Sequence, residues 1–298
     1  MGVLIKIDGV NFAANAIGKV EITTCQHQYS HACDTTCNLC GAIRTVAHNY
    51  VDGYCTVCGK RDPDYLYTIA DYPVNDTTLK GLYDLGGTAE ASVVNHAPTP
   101  HINTKATELY GTVTVNEDYC TFTGTAAQAK VLTYLRMPLA NAITAVVLFR
   151  VQSKKSVLIG NRSGDSTSTG WGVNLLNDSV EFGYNGSNVV TDEKRFPAIN
   201  SDNFAILAMT AHENGVRVVR YTNGALDELL DLEGEVTPWQ TGSTGNAIQI
   251  GGYGASNYAV DRDISLAAIH EGVLTDPQLK SICEFVKVYG EQKGLTIE

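Results

Sequence analysis

Basic side chains are scarce in this chain: 21 lysines and arginines face 32 aspartates and glutamates, a formal net charge of -11 over 298 residues. Nucleic acids and anionic membrane surfaces are held by clustered lysine and arginine, so the balance argues against both as partners. Apolar residues never run on for the roughly 18 positions that a membrane-spanning helix needs. The opening MGVLIKIDGVNFAANAIGKV has no basic leader, and Asp8 and Asn11 break its apolar content, so no signal peptide is expected. A βαβ pattern, the usual setting of a redox Cys-x-x-Cys, is also missing. So is the Glu-x-Asp-x-x-Glu strand with which glucanases set two carboxylates on one sheet face. The expectation is a non-enzymatic protein made in a reducing cytoplasm, where disulfide frameworks do not form.

Cysteine, by contrast, is concentrated. Six of the 8 cysteines lie between Cys25 and Cys58, and Cys37-Asn38-Leu39-Cys40-Gly41 is echoed by Cys55-Thr56-Val57-Cys58-Gly59. Two residues between thiolates allow a tight turn that aims both sulfurs at one ion. The two knuckles together, Cys37, Cys40, Cys55 and Cys58, read as one tetrahedral zinc site. His27-Gln28-Tyr29 and His48-Asn49-Tyr50 precede the knuckles in turn, an internal duplication, and Cys25, Cys33, His27, His31 and His48 remain to complete a second site. Arg44, Lys60 and Arg61 are the sole basic residues between Cys25 and Pro63, so the segment reads as a metal-held scaffold rather than a nucleic-acid reader.

Composition divides the chain into four parts. Residues 1–22 read as an N-terminal arm or anchor hairpin turning at Asp8-Gly9, residues 23–60 as the zinc-binding module, and residues 61–74, with Asp62-Pro63-Asp64, as a linker. From 75 to 298, short apolar runs separated by Gly, Asn, Asp and Ser predict an antiparallel β-sandwich of the jelly-roll kind, making the fold mainly β. Predicted strands cover 112–115, 119–123, 142–151, 156–160, 172–176, 179–184, 204–210, 216–221, 247–251 and 264–270. Asn177-Asp178, Asn185-Gly186, Asn214-Gly215 and Asn223-Gly224 read as hairpin turns. Thr275-Asp276-Pro277-Gln278 is a capping box, and Leu279, Ile282, Val286 and Tyr289 recur at helical spacing behind it, predicting a C-terminal helix. Cys120 and Cys283 read as ordinary buried thiols. Asp261-Arg262-Asp263 reads as a loop salt bridge, and the acidic run Asp227, Glu228, Asp231, Glu233, Glu235 as a solvated surface.

The segments 119–122, 142–150, 157–161, Gly170-Trp171-Gly172-Val173-Asn174-Leu175, 180–184 and 204–210, and above all Ile264 to Leu279 with its Leu274-Thr275-Asp276-x-x-Leu279 step, resemble concanavalin A-like lectin/glucanase and laminin-G jelly rolls. The stretch from Ile5 to Val20 is similar to openings of tailed-phage virion proteins. The cysteine run resembles repeats of gut Firmicutes and their phages. These resemblances imply a virion protein of tail, fibre or head decoration, loaded with zinc in the host cytoplasm, or else a bacterial cell-surface protein. They imply a head that binds bacterial surface polysaccharide, an arm that meets other virion subunits, and a homo-oligomer, often a trimer in proteins of this kind. A purely structural capsid-decoration or tail-joining protein is the alternative. Sugars need an aromatic face and nearby hydrogen-bonding groups. Trp171 with Asn161, Arg162 and Asp165 is one such set, though the Gly170-Trp171-Gly172 strand equally suits a core position for the ring; Tyr253 with Asn257 and Tyr258 is another, and Trp239 a third. Asp165, Asn188 and Asp192 are too sparse a set to predict calcium.

Overall fold

The computed structural model describes residues 3–7, 10–14, 20–23, 25–51, 53–99, 105–125, 128–135, 142–151, 155–161, 171–176, 179–184, 187–190, 202–212, 214–233, 247–252 and 261–298. The chain forms two compact units, Met1–Leu66 and Tyr67–Glu298. Among the described residues no helix is long and apolar enough to cross a membrane.

The first unit opens with β1 (Val3–Ile7), β2 (Val10–Ala14) and β3 (Val20–Thr23), an antiparallel sheet in which Ile7 faces Val10 and Ala14 faces Val20. The predicted hairpin is thus a three-stranded meander, since the chain turns back a second time before the cysteines. β4 (Tyr50–Val51) and β5 (Tyr54–Cys55) form a short ribbon among the cysteines.

The second unit begins with β6 (Leu79–Asp84), the short helix α1 (Ala89–Ser92), β7 (Glu108–Gly111), β8 (Val113–Val115), β9 (Cys120–Phe122) and β10 (Ala129–Leu132). It continues through β11 (Ala142–Val151), β12 (Lys155–Gly160), β13 (Trp171–Leu176), β14 (Ser179–Tyr184) and β15 (Ser187–Val190). The last strands are β16 (Ala205–His212), β17 (Gly215–Thr222), β18 (Ala225–Glu233), β19 (Gln249–Ile250) and β20 (Arg262–Glu271), followed by α2 (Asp276–Gln292). One sheet has the order β15-β14-β13-β12-β19-β10-β7. The other runs β18-β17-β16-β11-β20-β9-β8, with β6 on β20. This is the antiparallel sandwich with a C-terminal helix that the sequence predicts.

The unbroken apolar run of β11 has a physical reason. Ala145, Val147 and Phe149 point into the core between the sheets, with Phe122, Trp171 and Ile269. Val146 and Leu148 point to the opposite face, where Leu279, Ile282 and Val286 of α2 cover them. Both faces are buried, so neither phase of the strand is polar. The helix starts where predicted: Thr275 is the N-cap, its amide donates to Gln278 Oε1 at 3.0 Å, and proline follows in the first turn. Asn223 and Gly224, at φ 51° and 80°, close the β17–β18 hairpin with Thr222 opposite Ala225, the type I′ geometry that an Asn-Gly pair favours.

Two expectations are corrected, and one strand is added. Tyr72 and Val74, placed by sequence in a linker, are buried with the α2 side of the sandwich, because Tyr72 packs its ring edge on Phe285 at 5.6 Å and bonds His270. Asp261, Arg262 and Asp263 do not bridge one another. Asp263 is buried and pairs with Arg150 at 2.8 Å, Asp261 accepts from the Gly124 amide, and Arg262 bonds the carbonyls of Gly124, Ala129 and Gly251. Ala225–Glu233, absent from the predicted strands, is β18, the outer strand of its sheet; Asp227, Asp231 and Glu233 are exposed on it, the solvated surface expected, and Glu228 pairs with Arg217 at 3.2 Å; Glu235 lies outside the described residues. Cys120 and Cys283 are fully buried thiols, as expected.

Candidate metal centre

Each Cys-x-x-Cys knuckle is a tight turn. The Gly41 amide donates to the Cys37 carbonyl and the Gly59 amide to the Cys55 carbonyl, both at 2.9 Å, and the Cys37 and Cys55 amides reach back to Ala42 and Lys60, both at 2.8 Å. Gly41 and Gly59 have φ of 73° and 68°, a conformation glycine adopts without strain. The duplicated sequence is therefore a duplicated structure.

The two knuckles do not share one ion site. Cys25, His27, Cys37 and Cys40 form one cluster and Cys33, His48, Cys55 and Cys58 another, and within each all four ligand atoms lie within 4.8 Å of one another. This corrects the four-thiolate site expected from spacing: each turn already has a cysteine and a histidine of its own at hand. His31 stays out of both clusters, its Nδ1 accepting from the Cys33 amide at 3.2 Å.

The geometry fits zinc. A tetrahedral ion with Zn–S bonds of about 2.3 Å has sulfur-to-sulfur edges of about 3.8 Å. Cys25 and Cys37 sulfurs stand 3.9 Å apart and Cys33 and Cys55 sulfurs 3.4 Å. His27 Nδ1 is 3.3 Å from Cys40 Sγ, and His48 Nδ1 is 3.4 Å from Cys58 Sγ. Every separation is far beyond the disulfide bond length of about 2.05 Å, and none of the six cysteines is in a disulfide.

Electrostatics points the same way. The amides of Cys58 and Val57 bring the Cys55 thiol down to about 5 against its burial. Burial pushes the Cys37 thiol up, but the amides of Cys40, Leu39 and Gln28 and the His27 ring outweigh it, again to about 5. Cys25, bonded to Cys40 and desolvated, and Cys33, desolvated beside Cys55, are both pushed up to about 12. Each cluster thus pairs a thiol whose ionisation the backbone amides favour with one whose ionisation its sulfur neighbours and burial oppose.

The sandwich treats the sugar-binding candidates unevenly. Trp171 is fully buried in the inter-sheet core and has no face to offer a ligand, so of its two readings the core position holds. Asn161 Oδ1 accepts from the Trp171 amide at 2.9 Å, so it fastens the strand ends. Arg162, Asp165, Trp239, Tyr253, Asn257 and Tyr258 lie outside the described residues, as do Asp192 and the side chain of Asn188. Their anchors are described. Gly160, ending β12, pairs with Gln249, starting β19, so the segments bearing Arg162, Asp165 and Trp239 are anchored at one rim. The segment bearing Tyr253, Asn257 and Tyr258 leads instead into Arg262, opposite Val151 at the end of β11, from which the chain crosses to the start of β12. The candidate sets are therefore anchored at opposite ends of β12.

No family model and no curated protein matches the chain. Among solved structures it is similar to the binding domain of botulinum neurotoxin DC, described in complex with rat synaptotagmin II: 11% identity over 74% of this chain and 52% of that chain, TM-score 0.49. The receptor binding domain of the botulinum neurotoxin C/D mosaic serotype shows 12% identity over 70% and 51%, TM-score 0.48. A Trypanosoma rangeli sialidase mutant displaying trans-sialidase activity shows 13% over 72% and 33%, TM-score 0.45. The chain spans about half the length of the neurotoxin domains. These likenesses lend no residue of this chain a role.

Proposed function

We propose that this chain is a non-enzymatic tailed-phage virion protein whose module over 23–60 holds two zinc ions and whose sandwich binds host-surface polysaccharide. The observation that carries the reading is the pair of clusters of three cysteines and one histidine. Zinc supplies there a closed, four-ligand crosslink that stands in for a hydrophobic core, which this short segment lacks. Thiol-rich sites of this kind are loaded in a reducing compartment, and a phage protein is made in one and works outside the cell after lysis. The sugar-binding surface is assigned to the rim that anchors Arg162, Asp165 and Trp239.

Metal analysis of the freshly purified chain, together with a glycan array, tests the reading. Two zinc equivalents and binding to a bacterial polysaccharide are expected. Under one equivalent, with Cys37, Cys40, Cys55 and Cys58 in disulfides, overturns the zinc assignment, and a blank array overturns the attachment role. A second reading, in which the sandwich only packs against neighbouring capsid or tail subunits, is favoured by the burial of Trp171, which removes one of the aromatic candidates. Stable incorporation into particles together with a blank array is its signature.

A further inference from the structure

The two clusters are interleaved along the chain. Ligands of the first are Cys25, His27, Cys37 and Cys40; the second takes Cys33, from inside that span, together with His48, Cys55 and Cys58. The spacing of the two repeats accounts for this. Cys37, Cys40 and Gly41 recur 18 residues later as Cys55, Cys58 and Gly59, with matching bonds: Arg44 amide to Thr35 carbonyl and Asp62 amide to Gly53 carbonyl, both 2.8 Å. The histidines instead recur 21 residues later. Seven residues separate Tyr29 from Cys37, whereas four separate Tyr50 from Cys55. The first repeat therefore carries three extra residues, in the loop that bears Cys33.

That loop is held by its own repeat. Asp34 accepts from the amides of Ser30 and Thr36 at 3.0 and 3.1 Å. Arg44 donates to the carbonyls of Asp34 and Ala32, both at 2.9 Å, and of His31 at 3.3 Å, while its guanidinium lies 3.6 Å over the Tyr29 ring. Tyr29 in turn is the neighbour of the ligand His27, and the Asn38 amide, inside the first knuckle, bonds Gln28 at 2.8 Å. These contacts tie the loop to the first site, and the loop carries Cys33 to the second. The sharing runs one way in sequence: among the described ligands none from the second repeat enters the first cluster. In the second repeat the residue four before the knuckle is Val51, half exposed, where the first has Cys33, so the donation stops there.

We infer that metal binding is ordered: the first cluster, complete within its own repeat, fills first, and its filling presents Cys33 and so raises the affinity of the second site. The inference rests on the two-zinc reading above. A cadmium-113 NMR titration of the full-length reduced chain tests it, since each site gives its own resonance. Two resonances appearing in sequence are expected. Cys55→Ser/Cys58→Ser removes the late resonance and leaves the early one, whereas Cys37→Ser/Cys40→Ser removes or weakens both at least tenfold. Asp34→Ala, which alters no ligand and lies in the first repeat, weakens the second site at least tenfold and spares the first. Absence of both resonances in the unsubstituted chain overturns the two-zinc reading and this inference with it. Two resonances that grow together, or a second site of unchanged affinity in both Cys37→Ser/Cys40→Ser and Asp34→Ala, overturn the order of loading alone.

Discussion

The sulfur of Cys33 lies 3.4 Å from that of Cys55, across 22 residues of sequence. That distance is far beyond a disulfide bond and suits a thiol–thiolate hydrogen bond, or two sulfurs on one edge of a zinc tetrahedron. On the two-zinc reading, metal removal is expected to unfold the module alone. Structural zinc contributes about 10–16 kcal/mol near pH 7 in small zinc-binding folds, and the affinity falls with pH because protons compete for thiolate and imidazole. Calorimetry of the full chain should show a transition that disappears on chelation or on acidification, leaving the larger transition of the sandwich in place. A single transition indifferent to chelator would contradict this.

His270 gives the second unit a pH dependence of its own. Thr78 donates its proton to Asp76 at 2.6 Å, so the contact of 3.1 Å between Thr78 Oγ1 and His270 Nδ1 requires the ring to donate there, and Nε2 accepts from Tyr72 at 2.9 Å. Burial is the chief cause that brings this histidine down to about 4, with Asp76 pulling the other way. An unfolded chain takes up the proton near 6.5. The unfolded state is thus favoured as pH falls from about 6.5 to about 4, and the stability present above that window, ~3 kcal/mol at most, is lost within it. Urea unfolding from pH 7.5 to 4 should show this slope in the native chain and a shallower one in His270→Gln.

Asp263 depends on Arg150. The carboxylate is buried, with Nε and Nη2 of Arg150 donating to one oxygen at 2.9 and 2.8 Å and Thr121 donating to the other at 2.6 Å. Arg150→Ala strips the countercharge and is expected to cost about 3–5 kcal/mol, the penalty of a buried charge left alone. Arg150→Met combined with Asp263→Asn removes both charges and should recover part of that loss. A double substitution as damaging as the single one would show that the pair is not the cause.

Gly111 tests the β7–β10 pairing in the same way. It sits at φ 79°, and a Cβ there would lie 1.5 Å from the Gln128 carbonyl oxygen. Gly111→Ala must push β7 and β10 apart where Gly111 pairs with Ala129. A loss of ~2 kcal/mol or more in denaturant midpoint analysis is expected, above the usual range for a surface substitution.

How far the sequence reveals this molecule depends on how local each signal is. β11 and α2 were legible because a strand buried on both faces and a capped amphipathic helix are written in their own residues. β6 was not, because Lys80 and Gly81 interrupt a strand that is buried only by pairing with β20, 182 or more residues away in sequence. β18 is not legible as a strand because an outer strand keeps half its side chains in water, and its acidic residues read only as the exposed surface that they form. The ligands of the metal clusters were legible as residue types, but their partition was not, since it turns on three extra residues in the loop around Cys33. Trp171 shows the limit of composition: a Gly-Trp-Gly strand suits a sugar platform or a core equally, and the opposing sheet decides.

That ambiguity makes the two tryptophans a discriminating pair. Trp171 fills the space between the sheets, so Trp171→Ala leaves a cavity and is expected to cost about 3–5 kcal/mol, with unchanged polysaccharide affinity in the fraction that stays folded. The segment bearing Trp239 is anchored at the rim proposed for sugar contact, and on that proposal Trp239→Ala is expected to leave the denaturation midpoint unaltered and to weaken polysaccharide binding at least tenfold, about 1.4 kcal/mol. Surface plasmon resonance on immobilised host polysaccharide, run beside urea unfolding, separates the effects. If Trp239→Ala binds as the native chain does, the rim is not the contact surface. If neither protein binds any host polysaccharide, the sandwich is a packing element of the particle. In that case its free rim and the three-stranded N-terminal sheet are where neighbouring subunits should be sought.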